Sequence, residues 1–134
     1  MIQKLIITDS DGFPHYKRNF DDKIPSIDDT LLSGLISTIG ILGKKLFKKE
    51  IAKITFGIGI NQSHIFIVSK ELLQKGKTIY FVFFLKGDID EKLVKNVATT
   101  IYIENKDQLL GSDKFSTKIT AKIDQVLDTR YSQI

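Results

Sequence analysis

Cysteine and tryptophan are absent from the sequence, and only two prolines and two histidines occur among its 134 residues. Without cysteine the chain forms no disulfide, no thiolate metal site and no cysteine nucleophile, which fits a reducing, cytoplasmic setting. Long hydrophobic runs are also missing: the longest, residues 79–85, has the length of a strand, so we predict no membrane span. The first apolar run stops at Thr8 and Asp9, so we predict no signal peptide.

The bulk composition is that of an ordinary globular protein. Hydrophobic residues make up 42% of the chain and charged residues 27%. A chain of 134 residues normally forms one core, so we predict a single domain over residues 1–134. The net charge of +4 is a mild excess, which permits weak contact with anionic surfaces and demands none.

Periodicity predicts five strands and three helices in the order β-β-α-β-β-β-α-α. The strands are expected near residues 2–8, 13–20, 52–60, 64–68 and 78–85. The helices are expected near residues 27–47, from an Asp88 cap to a stop at Gly111, and along a third stripe that holds Phe115, Ile119, Ile123, Val126 and Leu127. Because the fifth strand is nearly all apolar, it should be central. We therefore predict an α+β fold: a three-layer α-β-α sandwich with a five-stranded, mainly antiparallel sheet, one helix on one face and two on the other.

The stretch DSDG at residues 9–12 follows the first strand and has two interpretations. One is a hairpin turn, in which aspartate side chains accept backbone amides and the glycine takes a positive φ. The alternative is catalytic, because the stretch resembles the nucleophile loop of haloacid-dehalogenase-type phosphatases. Asp9 would then be the nucleophile and Asp11 the acid/base, with residues 87–90 as the magnesium-binding motif. We prefer the turn, because residues 13–20 read as a second strand whereas that phosphatase fold alternates parallel strands with helices.

Other motifs do not indicate catalytic or metal chemistry. Counted from Asp9, the glycine and glutamate positions of an EF-hand loop hold Pro14 and Phe20. A phosphate loop that ends at residues 76–78 lacks its first glycine, because Glu71 stands there. Neither histidine lies in a nucleophile motif. We therefore predict a protein that is not an enzyme and has no cofactor and no metal site.

The first predicted helix has two apolar arcs, which is more than one sheet-facing stripe requires. At about 100° per residue, one arc holds Leu31, Leu35, Leu42 and Leu46, with Ile39 at its edge, and we predict that it packs on the sheet. We predict that the second arc is a protein–protein interface, formed by Leu32, Ile36, Gly40, Gly43 and Phe47. The alternative is that the loop of residues 21–25 and the flanking helix ends cover it within the same chain. Four polar side chains should be solvated: Ser33, Ser37, Lys44 and Lys48. Ser26 and Asp29 have the spacing of a capping box at the start of the helix.

Lysines cluster at the end of this helix, at Lys44, Lys45, Lys48 and Lys49. Cations at this position complement the helix dipole, which is a sufficient explanation. The alternative is contact with an anionic membrane surface. Stacking aromatics are not interleaved with the lysines, so we expect no nucleic-acid partner.

With this element order, the chain resembles a longin domain, a profilin-like fold, over residues 1–127. The resemblance lies in the hairpin IITDSDGFPHYKRNF, the helix DDTLLSGLISTIGILG and the strand segment TIYFVFFLKG. The stretch LLSGLIS at residues 31–37 is especially similar to stand-alone longin and roadblock-like proteins of archaeal type.

The resemblance implies a function in recognition. Longin domains are non-enzymatic and occur in trafficking SNAREs, clathrin-adaptor subunits, the TRAPP tethering complex and regulators of small GTPases. It therefore implies an adaptor or complex subunit that pairs with itself or with another longin or roadblock-like domain. Its implied partners are a small GTPase or vesicle-trafficking machinery, bound through the first helix or an exposed strand edge.

Overall fold

The computed structural model describes residues 2–23, 25–72, 76–88, 90–109 and 117–131. The elements follow the predicted order and are β1 (Ile2–Asp9), β2 (Pro14–Asn19), α1 (Asp29–Phe47), β3 (Lys53–Phe56), β4 (Ser63–Leu72), β5 (Lys77–Lys86), α2 (Glu91–Leu109) and α3 (Thr117–Tyr131). The predicted α+β class and element order are therefore confirmed.

The sheet has the strand order β2-β1-β5-β4-β3, and each of these pairings is antiparallel. β5 lies at the centre, as its apolar sequence predicts, because both of its faces are covered. The helix α1 packs on one face, and α2 with α3 packs on the other. The predicted three-layer sandwich is confirmed.

The main core lies on the α2–α3 side. Alternate residues of each strand point to this side, so the strands contribute Leu5, Ile7, Phe66, Phe81 and Phe83. The helices contribute Val94, Val97, Ile101, Ile123 and Leu127. Polar contacts also hold α3 on β2: among them, the Tyr16 hydroxyl donates to Asp124 at 2.5 Å, and Arg18 pairs with Asp128 at 2.5 Å. Burial, and then the Asp124 carboxylate, raise the pKa of Tyr16.

The helix caps differ from the predicted ones. Asp28 is the N-cap of α1, and its carboxylate accepts the amides of Thr30 at 2.9 Å and Leu31 at 3.2 Å. The predicted capping box of Ser26 and Asp29 is therefore wrong, because the N-cap is Asp28 rather than Ser26. Asp90, not the predicted Asp88, accepts the first free amides of α2. The predicted stop at Gly111 and the stripe position Phe115 lie outside the described residues.

β3 is shorter than predicted. Alternating apolar residues predict a strand to Ile60, but β3 ends at Phe56. Gly57 and Gly59 take positive φ values of 91° and 77°, which an extended strand does not contain. The chain therefore leaves the sheet at Phe56 and forms the β3–β4 loop, residues 57–62, which carries Ile58 and Ile60.

Candidate interaction surface

The turn after β1 uses Asp9 as a structural group. Its Oδ1 accepts the amides of Asp11 at 2.9 Å and Phe13 at 3.1 Å, and its Oδ2 lies 2.7 Å from His15 Nε2. The side chains of Asp9 and His15 are almost completely buried. Both carboxylate oxygens are thus occupied and shielded, which leaves no approach for a phosphoryl group.

Asp11 also lacks the arrangement that the phosphatase interpretation requires. Its carboxylate points outward and pairs with Lys77 at 2.8 Å. The segment after the turn is β2, antiparallel to β1, rather than a helix beside a parallel sheet. The turn interpretation is confirmed, and the assignment of Asp9 and Asp11 as nucleophile and acid/base is wrong.

The two apolar arcs of α1 are exchanged relative to the prediction. Leu32, Ile36 and Gly40 are buried and face the sheet, so their assignment to an open protein interface is wrong. Ser33 and Ser37, predicted to be solvated, are buried on the same side.

Small side chains explain this orientation. Gly40 lies over the Tyr80 ring, and a Cβ on Gly40 would come within 2.9 Å of Tyr80 Cζ. The Ser37 hydroxyl donates to the backbone carbonyl of Ser10 at the end of β1. Because small side chains allow a helix to approach a sheet closely, α1 packs with these residues towards the sheet. The larger leucines therefore point away from it.

The leucine arc, predicted to face the sheet, faces outward. Its four leucines are more than half exposed, from 53% at Leu42 to 70% at Leu31. We call this surface the leucine stripe, and it consists of Leu31, Leu35, Leu42 and Leu46. Phe47 beside it is exposed and Gly43 is half-buried. The interface role proposed for Phe47 and Gly43 stays a prediction.

Because α1 has 19 residues and is apolar on two faces, its length and composition alone would allow it to cross a membrane. The sequence-based expectation that no segment reaches that threshold is therefore corrected. In this fold one apolar face of α1 packs on Ile6, Ile67 and Val82 of the sheet. The stripe supplies four of the other apolar residues, and Ile41 and Phe47 are exposed as well.

The apolar surface continues from α1 toward the β3 edge of the sheet. Ile51, Ile65 and Phe84 pack only partly under α1. Next to Ile65, on the same face, lies its β3 partner Ile54, and Phe56 follows with 55% exposure. The far edge of β3 pairs with no strand of the described chain. A helix stripe, a partly covered sheet face and a free strand edge therefore belong to one side of the molecule.

The lysines predicted as an anionic-surface contact do not act as one group. Lys44 pairs with Glu71 at 2.5 Å and Glu50 at 2.9 Å, and these hydrogen bonds, to Glu71 first, raise its pKa. Lys45, Lys48 and Lys49 remain exposed. Contact of these three with an anionic surface stays a prediction.

Sequence reasoning missed the leucine stripe as the exposed surface. A usable signal was present: Ser33, Ser37 and Gly40 recur at helical spacing and mark a line along which a backbone can approach closely. It also missed the exposure of Ile58 and Ile60, for which Gly57 and Gly59 were the signal.

No protein-family model and no curated protein matches the chain. Among solved structures, the chain is similar to the Roadblock/LC7 domain from Streptomyces avermitilis, with a TM-score of 0.53 and 10% identity over 82% of this chain and 87% of that one. The gliding protein MglB from Thermus thermophilus (TM-score 0.44, 8% identity) and MglB from Myxococcus xanthus (0.42, 14%) align over 96% of this chain and 79% of theirs. Only the first score indicates a shared fold. The longin and roadblock resemblance is thus confirmed for the fold.

Proposed function

We propose that this chain, which has a longin- and roadblock-related fold, is a cytoplasmic protein-interaction module without catalytic activity of its own. It dimerises through the leucine stripe and binds a small GTPase or trafficking machinery in that form. The observation that carries the proposal is the stripe itself. Four leucines on one helix face, each more than half exposed, form a larger apolar patch than scattered surface residues produce.

The spacing of the stripe favours a second copy as its partner. The leucines stand at positions 31, 35, 42 and 46, which are symmetric about the point between Thr38 and Ile39. Two antiparallel copies of α1 related by a two-fold axis would therefore place Leu31 against Leu46 and Leu35 against Leu42 at both ends. One surface then complements itself, as an isologous interface requires.

Charge supports the same orientation. The N-terminal end of α1 carries the exposed Asp28, and the C-terminal end carries the exposed Lys45. Antiparallel pairing brings Lys45 of one copy towards Asp28 of the other, and it aligns the helix dipoles favourably.

The free edge of β3 adds a second contact to this dimer. Edge strands present unpaired amides and carbonyls that readily pair with another strand. Pairing of two β3 edges would extend the sheet across the two-fold axis beneath the two stripes, which is the β-augmentation that the exposed edge permits. Interfaces of stable dimers cover about 800 Å² per partner, and the stripe with Ile54 and Phe56 supplies an apolar centre for one.

Light scattering on the purified chain tests the dimer. The wild type should have twice the chain mass of 15.2 kDa. Leu42→Asp should weaken association about 100-fold, because it places an unpaired carboxylate in an apolar interface. The matched control is Ile103→Asp, since Ile103 on α2 is 63% exposed but lies on the other side of the sheet. A monomeric wild type, or equal loss in both variants, would contradict the proposal.

The GTPase partner is supported by the longin-type resemblance and is tested separately. Purified small GTPases from the same organism, loaded with GDP or a non-hydrolysable GTP analogue, are titrated against the wild type and Leu42→Asp. We expect the wild type to bind a GTPase more tightly in one nucleotide state than in the other. We expect the monomeric Leu42→Asp variant to bind that GTPase with lower affinity. Equal and weak binding in both states across all GTPases would contradict this part of the proposal.

A further inference from the structure

The β3–β4 loop, residues 57–62, carries two isoleucines that are almost fully exposed. Ile58 is 96% exposed and Ile60 is 95% exposed, more than any other large apolar side chain among the described residues. The backbone around them is held in place. Gly87 N donates to Gln62 O at 3.2 Å, and a side chain on Gly57 would lie 2.9 Å from the Asn61 carbonyl oxygen. The loop is therefore a compact projection with an apolar tip.

A matching apolar surface lies at the C-terminal end of α1. Leu46 is 63% and Phe47 68% exposed, and the helix stops directly after them because Lys48 takes a left-handed φ of 57°. The chain then returns along residues 48–52 to the start of β3. Two apolar surfaces are thus left uncovered in one copy: the loop tip and the helix end.

The loop and the helix end of one copy cannot meet. Lys44, in the last turn of α1, bonds to Glu71 near the C-terminal end of β4, whereas the loop leads into Ser63 at the other end of that strand. The eight residue steps from Ser63 to Glu71 span about 27 Å at the rise of an extended strand. Contact between these two surfaces therefore requires a second copy.

Two-fold pairing of the β3 edges would bring them together. Directly paired residues in antiparallel strands point to the same face, so a pair with both α1 helices on one face must be centred on a residue of β3. We place the centre at Ile54 or Thr55, the middle residues of the strand, because the pairing is then longest. Phe56 then lies opposite Ala52 or Ile54 of the second copy. The loop that follows Phe56 consequently runs beside residues 48–52 of the second copy, towards the end of its α1.

Charges at the two surfaces are complementary. The bond between Gly87 and Gln62 places the exposed Asp88 next to the loop. Lys48 and Lys49, which are exposed, flank the helix end. In the paired arrangement, Lys48 and Lys49 of one copy face Asp88 of the second copy.

We propose that the β3–β4 loop of one copy clasps the C-terminal end of α1 in a second copy, with Ile58 and Ile60 packed on Leu46 and Phe47. The proposal rests on the dimer proposed above and adds the contact that fixes its register. It also assigns Lys48 and Lys49 to the second copy rather than to a membrane.

Cysteine cross-linking tests the clasp, because the natural chain contains no cysteine. Ile58→Cys and Phe47→Cys are purified separately and treated with a short bis-maleimide, alone and mixed. The clasp predicts a covalent dimer mainly in the mixture, since each loop meets the helix end and not the other loop. Mixing Ile58→Cys with Ile103→Cys is the matched control and should give background. A covalent dimer from Ile58→Cys alone, or background in the mixture while the wild type is dimeric, would overturn the clasp.

The dimer dissociation constant gives a second readout. Ile58→Ser with Ile60→Ser should raise it at least tenfold, whereas Ile103→Ser should leave it unchanged. Folding is not at risk, because both isoleucines are almost fully exposed. An unchanged constant in the double variant would refute the clasp while leaving the leucine stripe in place. A monomeric wild type would refute both.

Discussion

On the α2–α3 side of the sheet, apolar side chains of four strands and two helices close over one another, and the core residues there are almost completely buried. On the α1 side, a single helix packs its own Leu32 and Ile36 on four buried residues of the sheet and leaves three further side chains partly open: Ile51, Ile65 and Phe84. The helix itself turns four leucines outward. The α2–α3 side of the sheet is thus fully buried by residues of the same chain. The α1 side is as apolar as a core but remains partly exposed. The difference indicates that stability resides mainly on the first side and recognition on the second.

A matched pair of phenylalanines tests this division with the largest expected effect. Phe83 is fully buried on the α2–α3 side, and Phe56 is 55% exposed on the other. Phe83→Ala should cost about 3–5 kcal/mol of unfolding free energy, because it leaves a cavity in a packed core. Phe56→Ala should cost less than about 1 kcal/mol under dilute, monomeric conditions. Urea unfolding measures both, and comparable losses would break the comparison.

The aspartates of the β1–β2 turn give a second matched pair. Asp9→Ala removes the acceptor of two amides and the partner of a buried histidine, so we expect a loss of about 3 kcal/mol. Asp11→Ala breaks one exposed ion pair and should cost less than about 1 kcal/mol. Thermal unfolding of both variants measures the difference. A stable Asp9→Ala protein would contradict the structural role of this carboxylate.

The fit of α1 on the sheet depends on Gly40. Gly40→Ala should destabilise the protein by about 1–2 kcal/mol, because its new methyl group meets the buried Tyr80 ring and the clash exceeds the gain in helix propensity. Gly34→Ala is the control, since a Cβ there meets no atom within 4 Å, and it should be neutral or stabilising. Adding Tyr80→Phe should reduce the cost at Gly40, because the hydroxyl is the first atom reached. Denaturant unfolding that shows no loss in Gly40→Ala would argue against the observed face of α1.

The strand β5, the helix α1 and the segment after β3 show why part of this architecture could be predicted from the sequence and part could not. The nearly all-apolar sequence of β5 predicted its central position, and the spacing of the periodic segments predicted the order of the elements. For α1, both arcs were apolar, so hydrophobicity could not choose between them. The choice depends on close approach at Gly40 and Ser37, which is a tertiary effect. Likewise, the alternation of apolar residues up to Ile60 predicts a strand. The strand ends earlier because Gly57 and Gly59 take positive φ values.

The smallest expected effect is a pH dependence at the start of α1. Asp29 pairs with Lys4 at 3.1 Å and Lys17 at 2.9 Å. Burial acts to raise its pKa, but the hydrogen bonds from the two lysines outweigh burial and hold that pKa below its usual range. A depressed pKa contributes stability above the unfolded value near pH 4 and loses it as the pH falls further.

Asp29→Asn should therefore flatten the decline of stability below about pH 4, by about 1 kcal/mol, because the Lys4 side chain is buried and Asp29 is only partly exposed. Asp22→Asn, at an exposed position between β2 and α1, is the control. Chemical unfolding in a pH series measures both variants. A decline in Asp29→Asn as steep as in the wild type would show that this ion pair does not contribute to acid sensitivity.

The most direct test of the open side is hydrogen exchange of the unmodified protein as a function of its concentration. If a second copy covers the leucine stripe and pairs with the free edge of β3, amides of residues 53–56 should exchange slowly in concentrated samples and faster on dilution, while those of β5 stay protected throughout. Exchange at residues 53–56 that does not change across the whole soluble concentration range would contradict a second copy at this surface.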